Sequence, residues 1–318
     1  MSKMKDVHTQ LAQVQAQIQK AVMGQREVTN QILIALLTNS HALLESVPGL
    51  GKTTLVKSVA DALKLDFSRV QNTPDLMPSD ITGTVMVFEK NGKQMLEFQK
   101  GPIFTNILLA DEINRATPKT QAAMLEAMAE KQITVGGETY KLDQPFFVLA
   151  TQNPIDQEGT YPLPEAQTDR FLLKILLDYP TQSEEIEIVE TYGAEEKQFP
   201  KISAVLKKED VLQLQSLARQ MPISKELLQQ CVHLIQRTRN HPDIKIGASP
   251  RASIGVVLAA KANAMINGRN LVTREDVATI AKPVLRHRLI LTFSAEQEGK
   301  NVEQVIEELV KDVIKTKQ

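Results

Sequence analysis

Residues 46 to 54 read Ser-Val-Pro-Gly-Leu-Gly-Lys-Thr-Thr, between a short apolar stretch at His41–Glu45 and a helically spaced segment at Thr54–Leu63. Strand, glycine-rich turn and helix in that order commit a chain to a βα unit. The lysine and hydroxyl at the turn's end mark it as a phosphate-binding loop. In the pattern G-x-x-x-x-G-K-[ST], backbone N–H groups wrap the phosphates. The lysine reaches the terminal phosphates and the hydroxyl ligates Mg²⁺. Gly51, Lys52 and Thr53 fit, and Ser46 stands where the first glycine belongs. That glycine relieves crowding at the loop entry, and serine is small enough to stand there with modest strain. Gly49 and Gly51 keep the positions where backbone must approach phosphate most closely. The helix starting near Lys52 aims its unsatisfied N–H groups at the anion. An ordinary β-turn-α connection, with Pro48-Gly49 as the turn, is the competing reading.

The rest of the chain supplies the sheet that such a unit needs. Ile107–Ala110, Phe146–Ala150 and Leu172–Leu177 are nearly continuous apolar runs, and helical patterns such as Thr120–Lys131 lie between them. Runs of that kind predict a parallel sheet buried on both faces, an α/β core. Val7, Leu11, Val14, Ile18 and Val22 mark one face of an N-terminal helix, and Glu27–Leu37 a second helix. Two hairpins interrupt the alternation: Val85–Phe98 turning at Asn91-Gly92, and Gln132–Leu142 turning at Gly136-Gly137. Beyond Tyr179-Pro180 only helical patterns remain, including a capping-box start at Thr273 and Asp276. We therefore expect a nucleotide-binding domain over residues 1–182 and an all-α lid over 183–318.

Bulk properties narrow the partners. With 37 basic against 38 acidic residues in 318, no charge excess points to nucleic acid or a membrane surface. Aromatics at 4% and the lack of tryptophan weaken any base-stacking role. One cysteine, Cys231, excludes an internal disulfide and reads as a small buried apolar residue. The five histidines show no metal-ligand spacing, and Arg286-His287-Arg288 reads as a solvated basic helix face. The N-terminal ten residues resemble no signal peptide, and no apolar run is long enough to span a bilayer. A cytoplasmic protein is expected.

A nucleotide hydrolase also needs a metal-directing acid and a group that activates water. Ile107–Ala110 ends in Asp111-Glu112, at the strand edge where open α/β sheets bind ligands. Asp111 is a candidate Mg²⁺ ligand and Glu112 a candidate base; a helix N-cap with a neighbouring charge is the alternative. Phe147–Thr151 leads to Gln152-Asn153, where Asn153 is placed to orient attacking water or simply to form a turn before Pro154. Arg170, in LPEAQTDRF, and Arg251, in GASPRA, are candidates for stabilising charge on a transferring phosphoryl group. Surface salt bridges are the plainer reading for both, with Asp169 the obvious neighbour of Arg170.

SVPGLGKTT, LLADEINRA, VLATQNP, LPEAQTDRF and GASPRA, in this order and spacing, closely resemble the MoxR family of AAA+ ATPases, over nearly the whole chain from Val22-Met23-Gly24-Gln25 onward. Two positions depart from the family: Ser46 replaces the usual glycine, and Gly51 stands where many members have alanine. The resemblance implies ATP and Mg²⁺ as ligands. Ser46, Val47, Pro48, Gly49, Leu50, Gly51, Lys52, Thr53 and Thr54 would form the Walker A loop, with Thr53 and Asp111 at the metal. Asp111-Glu112 would be the Walker B acids, Asn153 sensor 1, Arg251 sensor 2 in the lid, and Arg170 an arginine finger for a neighbouring subunit. Val22, Met23, Gly24 and Gln25 would line the adenine pocket, and the hairpins match the helix-2 and pre-sensor-1 insertions. A ring, by analogy a hexamer, is implied, acting as a protein remodeller with a von Willebrand factor A-domain partner and a protein client. The same clade holds helicases and magnesium-chelatase ATPase subunits. A nucleic-acid motor usually carries basic residues at the pre-sensor hairpin tip, yet here the tip reads Val135-Gly136-Gly137-Glu138. A third reading is a nucleotide switch that does not hydrolyse, against which Glu112 and Asn153 argue.

Overall fold

The apolar runs pair into one parallel sheet, and the two insertions fold as separate ribbons beside it. The computed structural model describes residues 2–90, 93–154, 160–193 and 200–314. Its strands are β1 (Ala42–Ser46), β2 (Phe67–Gln71), β3 (Gly83–Lys90), β4 (Lys93–Lys100), β5 (Ile107–Asp111), β6 (Gln132–Val135), β7 (Glu138–Lys141), β8 (Phe147–Gln152), β9 (Leu173–Leu177), β10 (Ile244–Ile246) and β11 (Ile290–Leu291). Helices α1 (Ser2–Gln19), α2 (Arg26–Leu37), α3 (Lys52–Ala62), α4 (Pro78–Thr82), α5 (Pro118–Glu130) and α6 (Glu165–Thr168) belong to the first half. The second half holds α7 (Gln182–Tyr192), α8 (Lys208–Gln220), α9 (Lys225–Arg239), α10 (Pro250–Ile266), α11 (Arg274–Leu285), α12 (Phe293–Gln297) and α13 (Val302–Val313).

The sheet runs β2-β5-β8-β1-β9, with every neighbouring pair parallel. Successive side chains on a strand face opposite ways. Accordingly Leu44, Leu109 and Leu149 join the core shared with α1, α2 and α3, whereas Leu43, Leu108 and Val148 join Met124, Leu125 and Met128 of α5. Both faces are covered, which is why the strands read as unbroken apolar runs. The edge strand β2 was not legible: of its five residues only Val70 is buried. The first apolar core continues without a break into α8–α11 and α13, so the helical lid packs on α1 and α2.

The second half is not purely helical: Ile244–Ile246 and Ile290–Leu291 form a two-stranded antiparallel ribbon, too short to show a period. Arg286-His287-Arg288 is not a solvated face either, since the Arg288 side chain is 4% exposed and the Arg286 side chain 12%. The hairpin at Gly136-Gly137 forms, with φ of 61° and 84° in the left-handed region a primed turn requires. The Asn91-Gly92 turn lies outside the described residues. Phe98 of the first hairpin stacks on Tyr140 of the second at 4.2 Å between centroids, fastening the two insertions together.

His41, at the mouth of β1, joins two layers of the core. Its Nδ1 accepts the Val148 N–H at 3.0 Å, and its Nε2 lies 3.1 Å from the Met128 carbonyl. A backbone N–H only donates, so Nδ1 is bare and Nε2 carries the single proton. Burial pushes the His41 pKa from 6.5 down to about 4. As pH falls through that window the unfolded chain binds a proton that the folded chain refuses, so stability present above 6.5 is lost toward 4. We predict that His41 alone removes about 2 kcal/mol by roughly pH 5. Urea unfolding near neutrality and near that acid pH would show it, and His41→Gln would flatten the difference.

Candidate functional site

The loop between β1 and α3 turns on two glycines with positive φ, 88° at Gly49 and 74° at Gly51. A Cβ on either would meet nothing within 4 Å, so the glycines serve the backbone angle and leave open space before the loop. Gly51 is the N-cap of α3, and no side chain caps the helix. The first-turn N–H groups are therefore left for an outside acceptor, the arrangement that suits a phosphate. Lys52 and Thr53 occupy that turn, half-buried. Ser46 is 3% exposed and its Oγ finds no partner among the described residues. A cavity of about 490 Å³ opens beside the loop. Of the expected residues, Val22, Met23, Gln25, Pro48 to Gly51 and Thr54 line it. Gly24 does not; its φ of 73° turns the chain against Glu184 instead. Gln25 donates through Nε2 to the Leu50 carbonyl at 3.2 Å, tying the segment before α2 to the loop.

Because the sheet is parallel, the ends of β5 and β8 emerge at the same edge as the loop. Asp111 is 6% exposed and fully engaged: Oδ2 pairs with Arg69 at 2.7 Å and Oδ1 accepts the Thr151 hydroxyl at 2.6 Å. Its carbonyl accepts the Asn72 side-chain amide at 2.7 Å. Thr151 works in both directions, because its Oγ1 also accepts the Glu112 N–H at 2.8 Å. Glu112 itself sits at φ 53°, a left-handed conformation that costs a non-glycine residue about 1–2 kcal/mol. Its carboxylate pairs with Arg115 at 2.8 Å. Thr151, Arg69, Asn72 and Arg115 were all missed from sequence. Thr151 was visible in VLATQNP, whereas Arg69 and Asn72 flank the end of the unread strand β2.

The residues fit a nucleotide with its metal. Thr53 would offer its hydroxyl, and Asp111, with both oxygens occupied, would reach Mg²⁺ through water. Mg²⁺ in such sites keeps several waters and leans on the phosphates. That accords with finding, among the described residues, no cluster of three acidic, histidine or cysteine side chains able to hold a metal. The ion would neutralise charge on the phosphates. Asn153 follows β8 at this same edge, half-buried.

The two arginines lie elsewhere. Neither lines the loop cavity; Arg170 and Arg251 share a separate cavity of about 170 Å³ with Asp169 and Arg288. Asp169 is not the hydrogen-bond partner of Arg170, whose Nη1 donates to the Leu125 carbonyl at 3.0 Å. Asp169 instead gathers the lid: Arg288 at 2.8 Å, the Ser249 hydroxyl at 3.0 Å and Arg251 at 3.6 Å. Arg251, with 65% of its side chain exposed, stands in the first turn of α10 behind Pro250.

A parallel sheet in this order, with a glycine loop and an acid pair at one edge and a helical lid behind, defines a P-loop ATPase of the AAA class. Residues 41–173 match the model of the ATPase family associated with various cellular activities (AAA), and residues 236–309 match the AAA lid domain. The chain is 41% identical over 317 residues to "Chaperone MoxR1" of Mycobacterium tuberculosis, covering 97% of this chain and 82% of that one. It is 30% identical to "Protein MoxR" of Paracoccus denitrificans, covering 93% of each. A crystal structure of a Cytophaga hutchinsonii protein superposes with a TM-score of 0.91 at 41% identity, covering 98% of this chain and 96% of that chain. The chain belongs to the MoxR family of AAA+ ATPases.

Thr151 gives the clearest test of how the acid pair is held. Thr151→Val keeps the shape but strips a donor from Asp111 and orphans the Glu112 N–H. We predict a loss of about 2 kcal/mol, read as a lowered urea midpoint, with Thr151→Ser keeping most of the stability. A parent-like midpoint for Thr151→Val would show that the hydroxyl does not fasten the pair.

Proposed function

We propose that this chain is an ATP-hydrolysing, chaperone-like remodeller that works as a ring, by family analogy a hexamer, with a von Willebrand factor A-domain partner. The observation that carries the hydrolytic reading is the pairing of an uncapped, glycine-turned loop with a base-bearing acid pair at one sheet edge. Lys52 binds the terminal phosphates, Thr53 and Asp111 serve the metal, Glu112 takes the proton from attacking water, and Asn153 orients that water. The arginine pair supports a shared site. Arg170 and Arg251 lie together, away from their own loop, on a surface from which both can be given to a neighbour. A role on proteins is favoured by the first hairpin, which exposes Val87 (60%), Met95 (54%) and Leu96 (74%). The second hairpin turns through two glycines into Glu138 and offers no cation at that tip for nucleic acid.

Glutamine keeps the shape of Glu112 but accepts no proton. Glu112→Gln should therefore bind ATP, checked by calorimetry, and lose phosphate release by orders of magnitude. Near-normal turnover would move the base to another residue.

Arginine fingers contribute about 10³ to 10⁵ in turnover, so Arg170→Ala, which removes the finger, and Arg251→Ala, which removes the sensor 2 arginine from the same surface, should each bind ATP and be nearly inactive. Mixing either with Lys52→Ala restores interfaces where both halves are intact, and phosphate release should partly return. Mixing Arg170→Ala with Arg251→Ala should restore nothing, because every interface lacks one of the two. Recovery in that last mixture would place the arginines at different sites. Parent-like turnover by Arg170→Ala alone would sink the finger assignment.

A further inference from the structure

Among the described residues, one charged side chain lines the loop cavity, and it is an acid. Helix α7 gives the cavity Glu185, Ile188 and Tyr192, one stripe of the helix. The orientation of that stripe is fixed at both ends. At one end Glu184 presses on Gly24, where an added Cβ would lie 2.2 Å from its Cδ. Gly24 adjoins Gln25, which is tied to the Leu50 carbonyl of the loop. At the other end the Tyr192 hydroxyl donates to the Ala21 carbonyl at 2.6 Å. At about 1.5 Å of rise per residue, Glu185 and Tyr192 stand roughly 10 Å apart along the helix. Phosphate loop, Glu185, then the apolar end at Val22, Ile188 and Tyr192 is thus the order along the cavity.

Glu184 and Glu185 are neighbours with different duties. Glu184 is committed to the start of α7, accepting the Thr181 N–H at 2.7 Å and its hydroxyl at 2.8 Å, and these bonds hold its pKa below the usual carboxylate value. Glu185, an exposed residue, lines the cavity, and among the described residues no ion pair engages its carboxylate. An ionised carboxylate only accepts hydrogen bonds. It repels phosphate and gains nothing from an apolar base face. Between phosphates and base, a nucleotide offers the donors it needs: the two ribose hydroxyls. We propose that Glu185 reads the ribose of the bound nucleotide, selecting it over sugars that lack a hydroxyl it contacts. This rests on the ATP-binding reading above and adds the residue that sets sugar specificity.

The test is equilibrium binding of ATP, 2′-deoxy-ATP, 3′-deoxy-ATP and inosine triphosphate to the parent, Glu185→Ala and Glu185→Gln. The parent should prefer ATP to at least one deoxy analogue by about tenfold, the size of one charge-assisted hydrogen bond. Glu185→Ala should bring ATP down to the analogue the parent disfavours while leaving that analogue's own affinity unchanged, which also shows that the variant is folded. Glu185→Gln, still an acceptor, should keep part of the preference. The assignment is overturned if the parent binds ATP and both deoxy analogues equally, or if Glu185→Ala keeps the parent's ratio. It is equally overturned if the variant loses discrimination against inosine triphosphate instead, since Glu185 would then read the base. A parent that binds none of the four would remove the nucleotide reading itself.

Discussion

The constraint on which the rest depends is a sheet of parallel strands covered on both faces. Parallel strands need crossovers, and the crossovers here lay α3 on one face, beside α1 and α2, and α5 on the other. No polar chemistry can be placed within such a layer, because each strand interior is walled by apolar side chains on both sides. The carboxyl edge is the one place where backbone leaves the layer with its direction still fixed by the sheet. The loop after β1, the acids ending β5 and the amides ending β8 therefore meet without any of them being near another in sequence. Register sharpens this placement: Ala110 sits opposite Ala150, so Asp111 and Thr151 emerge side by side.

At that edge, geometry is held against a local preference. Glu112 stands in a left-handed conformation that a glutamate does not choose. What holds it is Thr151, which accepts from the Glu112 backbone while donating to Asp111. The same hydroxyl thus sets the backbone of Glu112 and one carboxylate oxygen of Asp111. Arg69 and Arg115 balance the two negative charges, one on each carboxylate.

Much of this was legible in the sequence, and the parts that were not share a cause. The loop, the acid pair and the buried strands announce themselves because each is local: a pattern of a few residues, or an apolar run. Edge strand β2 escaped because exposure on its outer side removes the apolar signal, and Arg69 and Asn72 escaped with it. The ribbon of Ile244–Ile246 with Ile290–Leu291 is too short for any period. Arg286-His287-Arg288 misled most directly. Its composition suggests water, but its partners come from far along the chain: His287 and Arg288 both reach the Phe171 carbonyl, and Arg286 pairs with Glu303. Burial keeps the His287 pKa well below its usual value, so the ring stays neutral between its two arginines. Long-range capture of that kind leaves no trace in local pattern.

Asp169 shows what such capture can accomplish. Its carboxylate belongs to the nucleotide-binding half, yet its partners Ser249, Arg251 and Arg288 all come from the lid. Arg288, 4% exposed, depends on that carboxylate, since breaking a buried pair by removing one partner strands the other charge at about 3–5 kcal/mol. Arg170 is the next residue along, held separately by the Leu125 carbonyl of α5. Asp169 thus stands between the two, paired with Arg251 at 3.6 Å and adjoining Arg170 in the chain. The two arginines are joined by one short, polar and partly buried linkage rather than by two independent loops. If they serve a neighbour's phosphate, they would arrive and leave together, with the lid as the moving part.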